Sequence, residues 1–232
     1  MSRPTIIFDY DLTLSPGESL ADVIGLAIDS HRDGAELRRR FDDLQGRWQE
    51  GPRTPADLLT AFRLVRAIRR SHIDAYVDTR RRLPDDLGHV FDELRRRGVR
   101  LHIVSSAYRD WLLPIGRAWG FSDHEIHARY HLGWFGGAAH PLTVGHLLRS
   151  ASKGRIIETL LRDGAAGRPL IVVGDSAEDL RAARHVAADG FVAAGYYAAS
   201  PVDPPALPGV AVQRVGCRDA LPATLLAAVA RP

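Results

Sequence analysis

The chain has 232 residues, which is enough for one full hydrophobic core or for a core with a modest insertion. Hydrophobic residues make up 45% and charged residues 25%, as in ordinary soluble globular proteins, and the single cysteine, Cys217, excludes an internal disulfide. No apolar run approaches the roughly 18 residues of a membrane span, and no signal-peptide pattern opens the chain. We therefore expect no membrane partner and a cytoplasmic location.

The positive charge of the chain comes from arginine. The formal net charge is +3, and Lys153 is the only lysine among the 31 basic residues. Three arginine triplets fall in helical patterns, where they could bind nucleic acid or form solvated helix faces. We favour helix faces, because acidic residues are interspersed, and we expect no nucleic-acid partner. The triplets are Arg38–Arg40, Arg80–Arg82 and Arg95–Arg97.

Short apolar segments rich in β-branched residues predict buried strands, and helical patterns alternate with them. This alternation favours right-handed crossovers and a parallel sheet that is covered on both faces. The predicted fold class is therefore α/β, with a Rossmann-like parallel sheet and helices on both faces. The predicted strands are Pro4–Phe8, Val99–Val104, Pro169–Val173 and Gly190–Ala193, and the predicted helices are Leu87–Arg97, Ser152–Arg162 and Ala177–Val186.

The stretch Glu18–Leu83 separates the first two predicted strands and is far longer than an ordinary crossover connection. Its pattern is mostly helical, so we interpret it as a small inserted helical bundle. We expect a catalytic core formed by residues 1–15 and 84–232, with a helical domain at 16–83. The predicted helices of the insertion are Glu18–Asp29, Ala35–Trp48, Pro55–Arg69 and Ile73–Arg82.

An irregular segment, Asp123–His146, is rich in glycine, histidine and aromatic residues and predicts a hairpin beside the sheet. A zinc site is a possible alternative for its histidines, but no cysteine joins them and their spacings are loose, so we do not favour it. A proline-rich loop at Pro201–Pro208 then leads to a last strand, Val210–Val215, and a C-terminal helix. The histidines are His124, His127, His131, His140 and His146.

Polar residues directly follow three of the predicted strands. Asp9–Thr13 follow the first strand, and Ser105 with Ser106 follows the second. Gly174–Asp179 follow the third strand, and Lys153 opens the helix before it. Because ligands of open α/β sheets bind outside the carboxyl ends of the strands, we expect these clusters to converge.

Convergence would place Asp9 beside Asp175, and like charges at short range are costly unless a cation lies between them. Mg²⁺ commonly binds one or two carboxylates together with a phosphate. The ion and Lys153 would neutralise a phosphoryl group, to which Ser105 would donate a hydrogen bond. Asp9 is then the candidate nucleophile, and Asp11 is the candidate general acid and base.

The order of these clusters resembles the haloacid-dehalogenase superfamily of phosphohydrolases. D-Y-D-L-T at residues 9–13 is similar to its nucleophile motif, and G-D-S-A-E-D at 174–179 is similar to its metal motif. Ser105 matches the strand-end serine or threonine of the second motif, and Lys153 matches the third motif. The resemblance covers nearly all of the chain.

The resemblance implies a Mg²⁺ site formed by Asp9, the backbone carbonyl of Asp11, and Asp175, with Asp179 in support. A second aspartate at the position of Asp11 is the phosphatase mark of the superfamily, and the dehalogenases lack it. The insertion after the first strand corresponds to a cap domain over the active site.

The length and helicity of the insertion resemble the caps of phosphoserine phosphatases and of the methionine-salvage enolphosphate phosphatases. The resemblance implies that Glu18 binds a substrate ammonium group and that Arg63, which matches the family pattern less closely, binds a substrate carboxylate. An alternative remains open for Glu18, because Ser15-Pro16-Gly17-Glu18 also fits a capping box with proline at the first helical position.

Two positions depart from the family pattern. Ser106 stands where the family has the first glycine of S-G-G, and Glu178 stands where it has an asparagine before the last aspartate of the metal motif. Together with Thr13 these residues are further candidates for substrate binding. The departures leave the identity of the substrate open.

The sequence thus predicts Mg²⁺-dependent hydrolysis of a small phosphorylated metabolite, a phosphomonoester, through an aspartyl-phosphate. Two alternatives remain: a phosphotransferase of the same superfamily, and a non-catalytic module that binds a phosphorylated metabolite. Asp11 argues against the second, because binding alone does not require an acid at this position. We expect a monomer or a homodimer.

Overall fold

The computed structural model describes residues 3–50, 54–141, 152–198 and 210–229. Its centre is a six-stranded parallel sheet with the strand order β3-β2-β1-β6-β7-β8. A second, two-stranded sheet is formed by β4 and β5, which pair in the antiparallel sense. The predicted α/β class with a parallel sheet is confirmed. The strands are β1 Thr5–Phe8, β2 Arg100–Tyr108, β3 Ile126–Tyr130, β4 Leu132–Phe135, β5 Ala138–Pro141, β6 Leu170–Gly174, β7 Gly190–Ala193 and β8 Ala211–Arg214.

Helices flank the sheet and fill the connections between its strands. They are α1 Ser19–Asp29, α2 Gly34–Glu50, α3 Pro55–Val65, α4 Arg70–Arg80, α5 Asp85–Arg96, α6 Arg109–Ala118, α7 Lys153–Arg162, α8 Ala177–His185 and α9 Leu221–Val229. No helix in the described parts of the chain has both the length and the apolar composition needed to cross a membrane. The predicted proline-rich loop at Pro201–Pro208 lies outside the described residues.

β1 is the central strand and fixes where the strand ends meet. All of its residues are buried, and it pairs in parallel with β2 on one side and β6 on the other. The last pairs align Phe8 with Ile103 and with Val173. The residues that follow these three positions therefore lie along one edge of the sheet.

β2 is longer than its sequence pattern predicts. It continues through Ser105 to Tyr108, past the predicted end at Val104, and its pairing with β3 is irregular between Ser105 and Tyr108. β3 and α6 have no counterpart among the predicted elements. β3 lies within the segment rich in glycine and histidine, and α6 lies beside it; these glycines and histidines hide the apolar periodicity. Ile126 of β3 and Trp111 and Ile115 of α6 are nevertheless buried.

The four helices α1–α4 occupy the predicted insertion between β1 and α5. Their apolar residues, among them Ile24, Leu64 and Tyr76, belong to the same buried cluster as the core residues Phe8 and Trp111. The division of the chain into a core and a cap domain therefore stays a prediction, since the buried apolar cluster runs through both.

The third and fourth helices of the insertion meet earlier than predicted. α3 ends at Val65 rather than Arg69, and α4 begins at Arg70 rather than Ile73. Arg69 is extended and its backbone N–H donates to Nδ1 of His72 at 3.0 Å, which starts the new helix. Ile68 in the connection is fully buried and anchors it against the core.

The predicted hairpin is present as β4 and β5, joined by two glycines, Gly136 and Gly137, with positive φ angles of 56° and 77°. Asp110 at the start of α6 accepts hydrogen bonds from the backbone N–H of Leu132 at 2.7 Å and from the indole of Trp134 at 3.2 Å. On its other side, the Arg70 guanidinium lies 4.4 Å from the Trp134 ring centroid. The hairpin thus bridges α6 and the inserted helices.

Several arginines of the triplets pair with acidic residues of the same helix, whereas Arg38 and Arg80 pair with Asp29 and Asp22 of α1. Arg40 donates to Glu36 at 2.7 Å on α2, and Arg97 donates to Glu93 at 2.6 Å on α5. Such exposed pairs contribute little to stability. They are the contacts expected of solvated helix faces.

Candidate active site

Three aspartates meet at the carboxyl edge of the sheet. Asp9 directly follows β1, Asp175 directly follows β6, and Asp179 lies in the first turn of α8. One carboxylate oxygen from each lies within 4.8 Å of the others. Asp9 and Asp179 are buried, so little solvent separates the three charges. The predicted convergence of the first and third clusters is therefore present in the structure.

Lys153 supplies a positive charge to this group. It is the first residue of α7, it is 4% exposed, and its Nζ lies 2.9 Å from Asp9 Oδ1 and 2.6 Å from Asp179 Oδ1. Burial by itself lowers the pKa of a lysine, but Asp9 and Asp179 together hold the pKa of Lys153 above its usual value. Lys153 is therefore a fixed cation between two buried carboxylates.

One lysine does not balance three neighbouring carboxylates. Burial, and then the charge of Asp179, raise the pKa of Asp9 well above its usual range, although Lys153 opposes the shift. Asp9 Oδ1 is buried and has no hydrogen bond of good geometry from any described residue. A divalent cation bound by oxygen ligands would remove both penalties, so the residues present fit Mg²⁺.

Asp175 is the most open of the three aspartates. Burial, followed by the charge of Asp179, raises the pKa of Asp175 to about 6. The Thr13 hydroxyl donates a hydrogen bond to Asp175 Oδ1 at 3.2 Å. Thr13 is fully buried, so it ties the loop after β1 to the loop after β6.

Asp11 faces the N-terminus of α1. Its Oδ1 accepts from the backbone N–H of Ser19 at 2.8 Å, and its Oδ2 accepts from the Ser19 hydroxyl at 3.1 Å. Burial raises the pKa of Asp11 to about 7, and the two bonds from Ser19 oppose this rise. The acid predicted for proton transfer is thus held by the first helix of the insertion.

The capping box considered for Ser15–Glu18 is wrong. α1 begins at Ser19, one residue after its predicted start, and Glu18 is the N-cap residue without a side-chain capping bond. The carboxylate of Asp11 takes the place of that cap by accepting from Ser19. The sequence pattern was misleading here, because the capping group lies eight residues from its donor.

Ser105 and Ser106 lie on β2 beside this cluster. Ser105 is buried, and its hydroxyl accepts from the backbone N–H of Ala107 at 3.2 Å. The Ser106 hydroxyl donates to Glu178 Oε2 at 3.3 Å, and Arg129 Nη1 donates to Glu178 Oε1 at 2.9 Å. The two positions that depart from the family pattern are therefore in direct contact.

The comparisons with known proteins agree with this geometry. The model of the haloacid dehalogenase-like hydrolases matches residues 6–184, which hold all of the clusters described above. The chain belongs to this family. The family resemblance predicted from the motifs is thereby confirmed. The comparison with curated proteins finds no matching relative.

Several solved structures share the fold of the hydrolase. A phospho-aspartyl intermediate analogue of phosphoserine phosphatase has a TM-score of 0.63 at 16% identity, covering 95% of this chain and 98% of its own. A phosphoserine phosphohydrolase-like protein from Francisella tularensis subsp. tularensis SCHU S4 has a TM-score of 0.62 at 16% identity, covering 83% and 87%. A protein of unknown function from Bordetella pertussis Tohama I has a TM-score of 0.62 at 22% identity, covering 83% and 90%. These likenesses show the fold.

Glu18 and Arg63 of the hydrolase are exposed, and their side chains form no hydrogen bond or ion pair with any described residue. Loss of solvent raises the pKa of Glu18, and the charge of Lys153 opposes this shift. The substrate-binding roles of Glu18 and Arg63 stay predictions.

Sequence reasoning missed two residues at the same edge of the sheet. Tyr196 follows β7, and its hydroxyl donates to the backbone carbonyl of Thr13 at 2.7 Å. Arg129, near the end of β3, holds Glu178. The rule that ligands gather at strand ends could have found Tyr196, because the end of β7 at Ala193 was predicted. It could not find Arg129, because β3 was not.

The histidine-rich segment forms no metal-binding group within the described parts of the chain. His127 on β3 instead lies against His102 on β2, with 3.2 Å between Nε2 and Nδ1. Burial, and then the neighbouring His102, lower the pKa of His127 to about 4. The side chain of His140 and the whole of His146 lie outside the described residues.

Proposed function

We propose that this hydrolase cleaves small-molecule phosphomonoesters in a Mg²⁺-dependent reaction that passes through an aspartyl-phosphate. The observation that carries the proposal is the buried group formed by Asp9, Asp179 and Lys153, with Asp175 at its open side. An anionic substrate needs positive charge at this edge, and phosphoryl transfer depends mainly on positioning and on charge stabilisation. The names of the phosphoserine phosphatase structures support the same reaction class.

Asp9 is the proposed nucleophile. A carboxylate oxygen of Asp9 attacks phosphorus, the bond from phosphorus to the ester oxygen breaks, and an acyl phosphate forms on Asp9. Lys153 would bind the oxygens of the phosphoryl group as the negative charge shifts toward the leaving oxygen. Ser105, which is buried on β2, would donate a hydrogen bond to one of these oxygens.

Asp11 is the proposed general acid and then the general base. Its proton passes to the leaving oxygen, so the product leaves as an alcohol. Asp11 then takes a proton from a water molecule that attacks phosphorus, which breaks the acyl-phosphate bond and restores Asp9. For this transfer Asp11 must turn from Ser19, which it contacts at 2.8 Å in this structure, toward the substrate.

Asp9 and Asp175 would hold Mg²⁺ through carboxylate oxygens, and the Asp11 carbonyl would join them as in the family pattern. Both oxygens of Asp179 already accept hydrogen bonds, from Lys153 and from Ser176, which suits it to support the site rather than to dominate the ligand set. When bound, the ion would neutralise charge on the phosphoryl oxygens and reduce the repulsion between the carboxylates.

We propose that α1–α4 act as the cap over this site and that specificity lies there. α1 supplies Ser19 to Asp11, and Glu18 is beside it at the helix start. Thr13, Ser106 and Glu178 are proposed to shape the phosphate side of the pocket. The cytoplasmic location and the choice between monomer and homodimer stay predictions.

The phosphotransferase alternative differs only in what accepts the phosphoryl group from Asp9. Nothing among the described contacts favours an acceptor alcohol over water, and Asp11 is suited to activate water. Product analysis with and without added alcohols separates the two reactions, because transfer would lower the phosphate released per ester cleaved.

The Asp9→Asn variant tests the proposal directly. We expect no phosphate release from p-nitrophenyl phosphate with Mg²⁺, since the amide is not a nucleophile, whereas the parent protein should be active with Mg²⁺ and inactive with EDTA. The matched control is Asp163→Asn, an exposed aspartate paired with Arg162 at 3.1 Å, which should keep parental activity. Circular dichroism should show both variants folded. Parental turnover by a folded Asp9→Asn protein would refute the assignment.

A further inference from the structure

Three residues from different elements form a charged contact beside the phosphate-binding serine. Glu178 in the first turn of α8 accepts from Ser106 on β2 at 3.3 Å and from Arg129 on β3 at 2.9 Å. The side chains of Arg129 and Glu178 are 21% and 31% exposed, so water screens this pair only in part. Arg129 Nε is buried and donates to no partner among the described residues, so Glu178 and the Tyr130 ring, whose centroid is 5.3 Å from Arg129 Cζ, hold the guanidinium in place.

This contact has a consequence for a substrate that is an anion. Glu178 is adjacent in sequence to Asp179, and Ser106 is adjacent to Ser105, so both flank the groups proposed to bind the phosphoryl group. An unpaired glutamate here would add a fourth negative charge to a site that must accept a phosphate. Arg129 cancels that charge and also fixes the carboxylate that orients the Ser106 hydroxyl.

We propose that Arg129 is a positioning residue for phosphate binding, acting through Glu178 and Ser106. The proposal rests on the proposed phosphatase function and deepens it. Arg129 takes no part in the chemical steps, so its loss should weaken the binding of the phosphoryl group far more than it slows turnover. The effects of substituting Arg129 and Glu178 should also depend on each other, because the loss of phosphate affinity comes from the uncompensated carboxylate of Glu178.

The test is a double-mutant cycle of Arg129→Gln and Glu178→Gln in the full chain with Mg²⁺. For Arg129→Gln we expect KM for p-nitrophenyl phosphate and Kd for inorganic phosphate to rise about tenfold, the effect of one nearby unpaired charge in a partly screened site, with kcat within about twofold. The double variant should return both constants to within about threefold of the parent values, because the charge it leaves beside the site is again zero.

Two controls separate charge from structure. Arg129→Lys keeps the charge and should stay near the parent. Arg97→Gln removes one of the two arginines that pair with Glu93 at the end of α5, the one at 2.6 Å, and should change neither constant. Melting temperatures show whether each variant is folded. If the double variant is as impaired as Arg129→Gln, the role of Arg129 is structural and the proposal is overturned.

Phosphate binding by calorimetry keeps this inference distinct from the proposed function. If the parent binds phosphate but cleaves no ester, the phosphatase proposal fails, while the cycle in Kd still decides the role of Arg129. If the parent cleaves esters and Arg129→Gln leaves both KM and Kd unchanged, the inference fails alone. A parent that neither binds phosphate nor cleaves esters contradicts both.

Discussion

Two helices of this hydrolase begin with the same local motif, one in the insertion and one at the candidate active site. Thr54 caps α3 and Ser176 caps α8, each in a reciprocal capping box with an aspartate three residues later, Asp57 or Asp179. In each case a basic side chain binds the other oxygen of that aspartate. Arg47 does so at 2.8 Å in the insertion, and Lys153 does so at 2.6 Å at the site.

The two motifs differ in their surroundings rather than in their geometry. The Arg47 side chain is 50% exposed, so its charge is solvated, and Thr54 and Arg47 satisfy the oxygens of Asp57 completely. Lys153 is 5% exposed and must also serve Asp9, with Asp175 close by. A capping box becomes part of a binding site only where the ends of parallel strands bring further carboxylates to it. The variants below test this difference.

Lys153→Met should have the largest effect. It leaves Asp9 and Asp179 buried without their cation, which should lower the free energy of unfolding by about 3–5 kcal/mol in EDTA and abolish phosphate release. Arg47→Met is the matched variant in the insertion. It should cost only about 1 kcal/mol, because the Arg47 side chain is half exposed and Thr54 still donates two hydrogen bonds to the buried Asp57, and it should leave turnover of p-nitrophenyl phosphate unchanged.

Urea unfolding with and without Mg²⁺ measures the stability part of this prediction. Mg²⁺ should stabilise Lys153→Met more than the parent, since the ion then compensates carboxylates that have lost their lysine. Equal losses of stability in Lys153→Met and Arg47→Met would mean that the buried cluster depends on its cation no more than the capping box of the insertion does. The proposed difference between the two motifs would then be contradicted.

Ser176→Ala and Thr54→Ala remove the same capping hydroxyl from the two helices. Both should lower the free energy of unfolding by about 1 kcal/mol, the usual cost of losing an N-cap side chain. Only Ser176→Ala should affect the reaction, with kcat/KM falling about tenfold, because Asp179 loses a donor and holds Lys153 less firmly. Chemical unfolding and steady-state kinetics with p-nitrophenyl phosphate measure the two effects. Equal kinetic changes in both variants would show that Asp179 does not position Lys153.

Much of the site edge followed from the sequence, because its residues sit immediately after strongly apolar strands. Asp9 and Asp175 needed only the rule that parallel strands end at one edge, and the structure brings them together. The predicted helices of the insertion also exist, with boundaries that move by up to four residues at Val65. Local periodicity is sufficient for elements of this kind.

The sequence pattern did not predict contacts between distant segments. The capping of α1 by Asp11 looked like a local box at Ser15, because a side chain from a preceding turn can replace a local cap without leaving a signal. Arg129 was missed since β3 is short and only its first residue, Ile126, is buried. The roles of candidate specificity residues such as Arg63 depend on which way a helix faces, and one sequence does not fix that orientation.

Arg63→Ala should have the smallest effect of these variants, and it tests whether the insertion contributes to substrate binding. Arg63 is exposed on α3 and its side chain forms no hydrogen bond or ion pair with any described residue, so its loss should leave the fold and the turnover of p-nitrophenyl phosphate unchanged. If the insertion binds the carboxylate of the substrate, kcat/KM for phosphoserine should fall about fivefold, as expected for one solvent-screened charged contact. Arg66→Ala, the neighbouring exposed arginine, is the control and should change neither substrate. A parallel loss with both substrates would assign Arg63 to the stability of α3, and no loss with either would remove it from the substrate pocket.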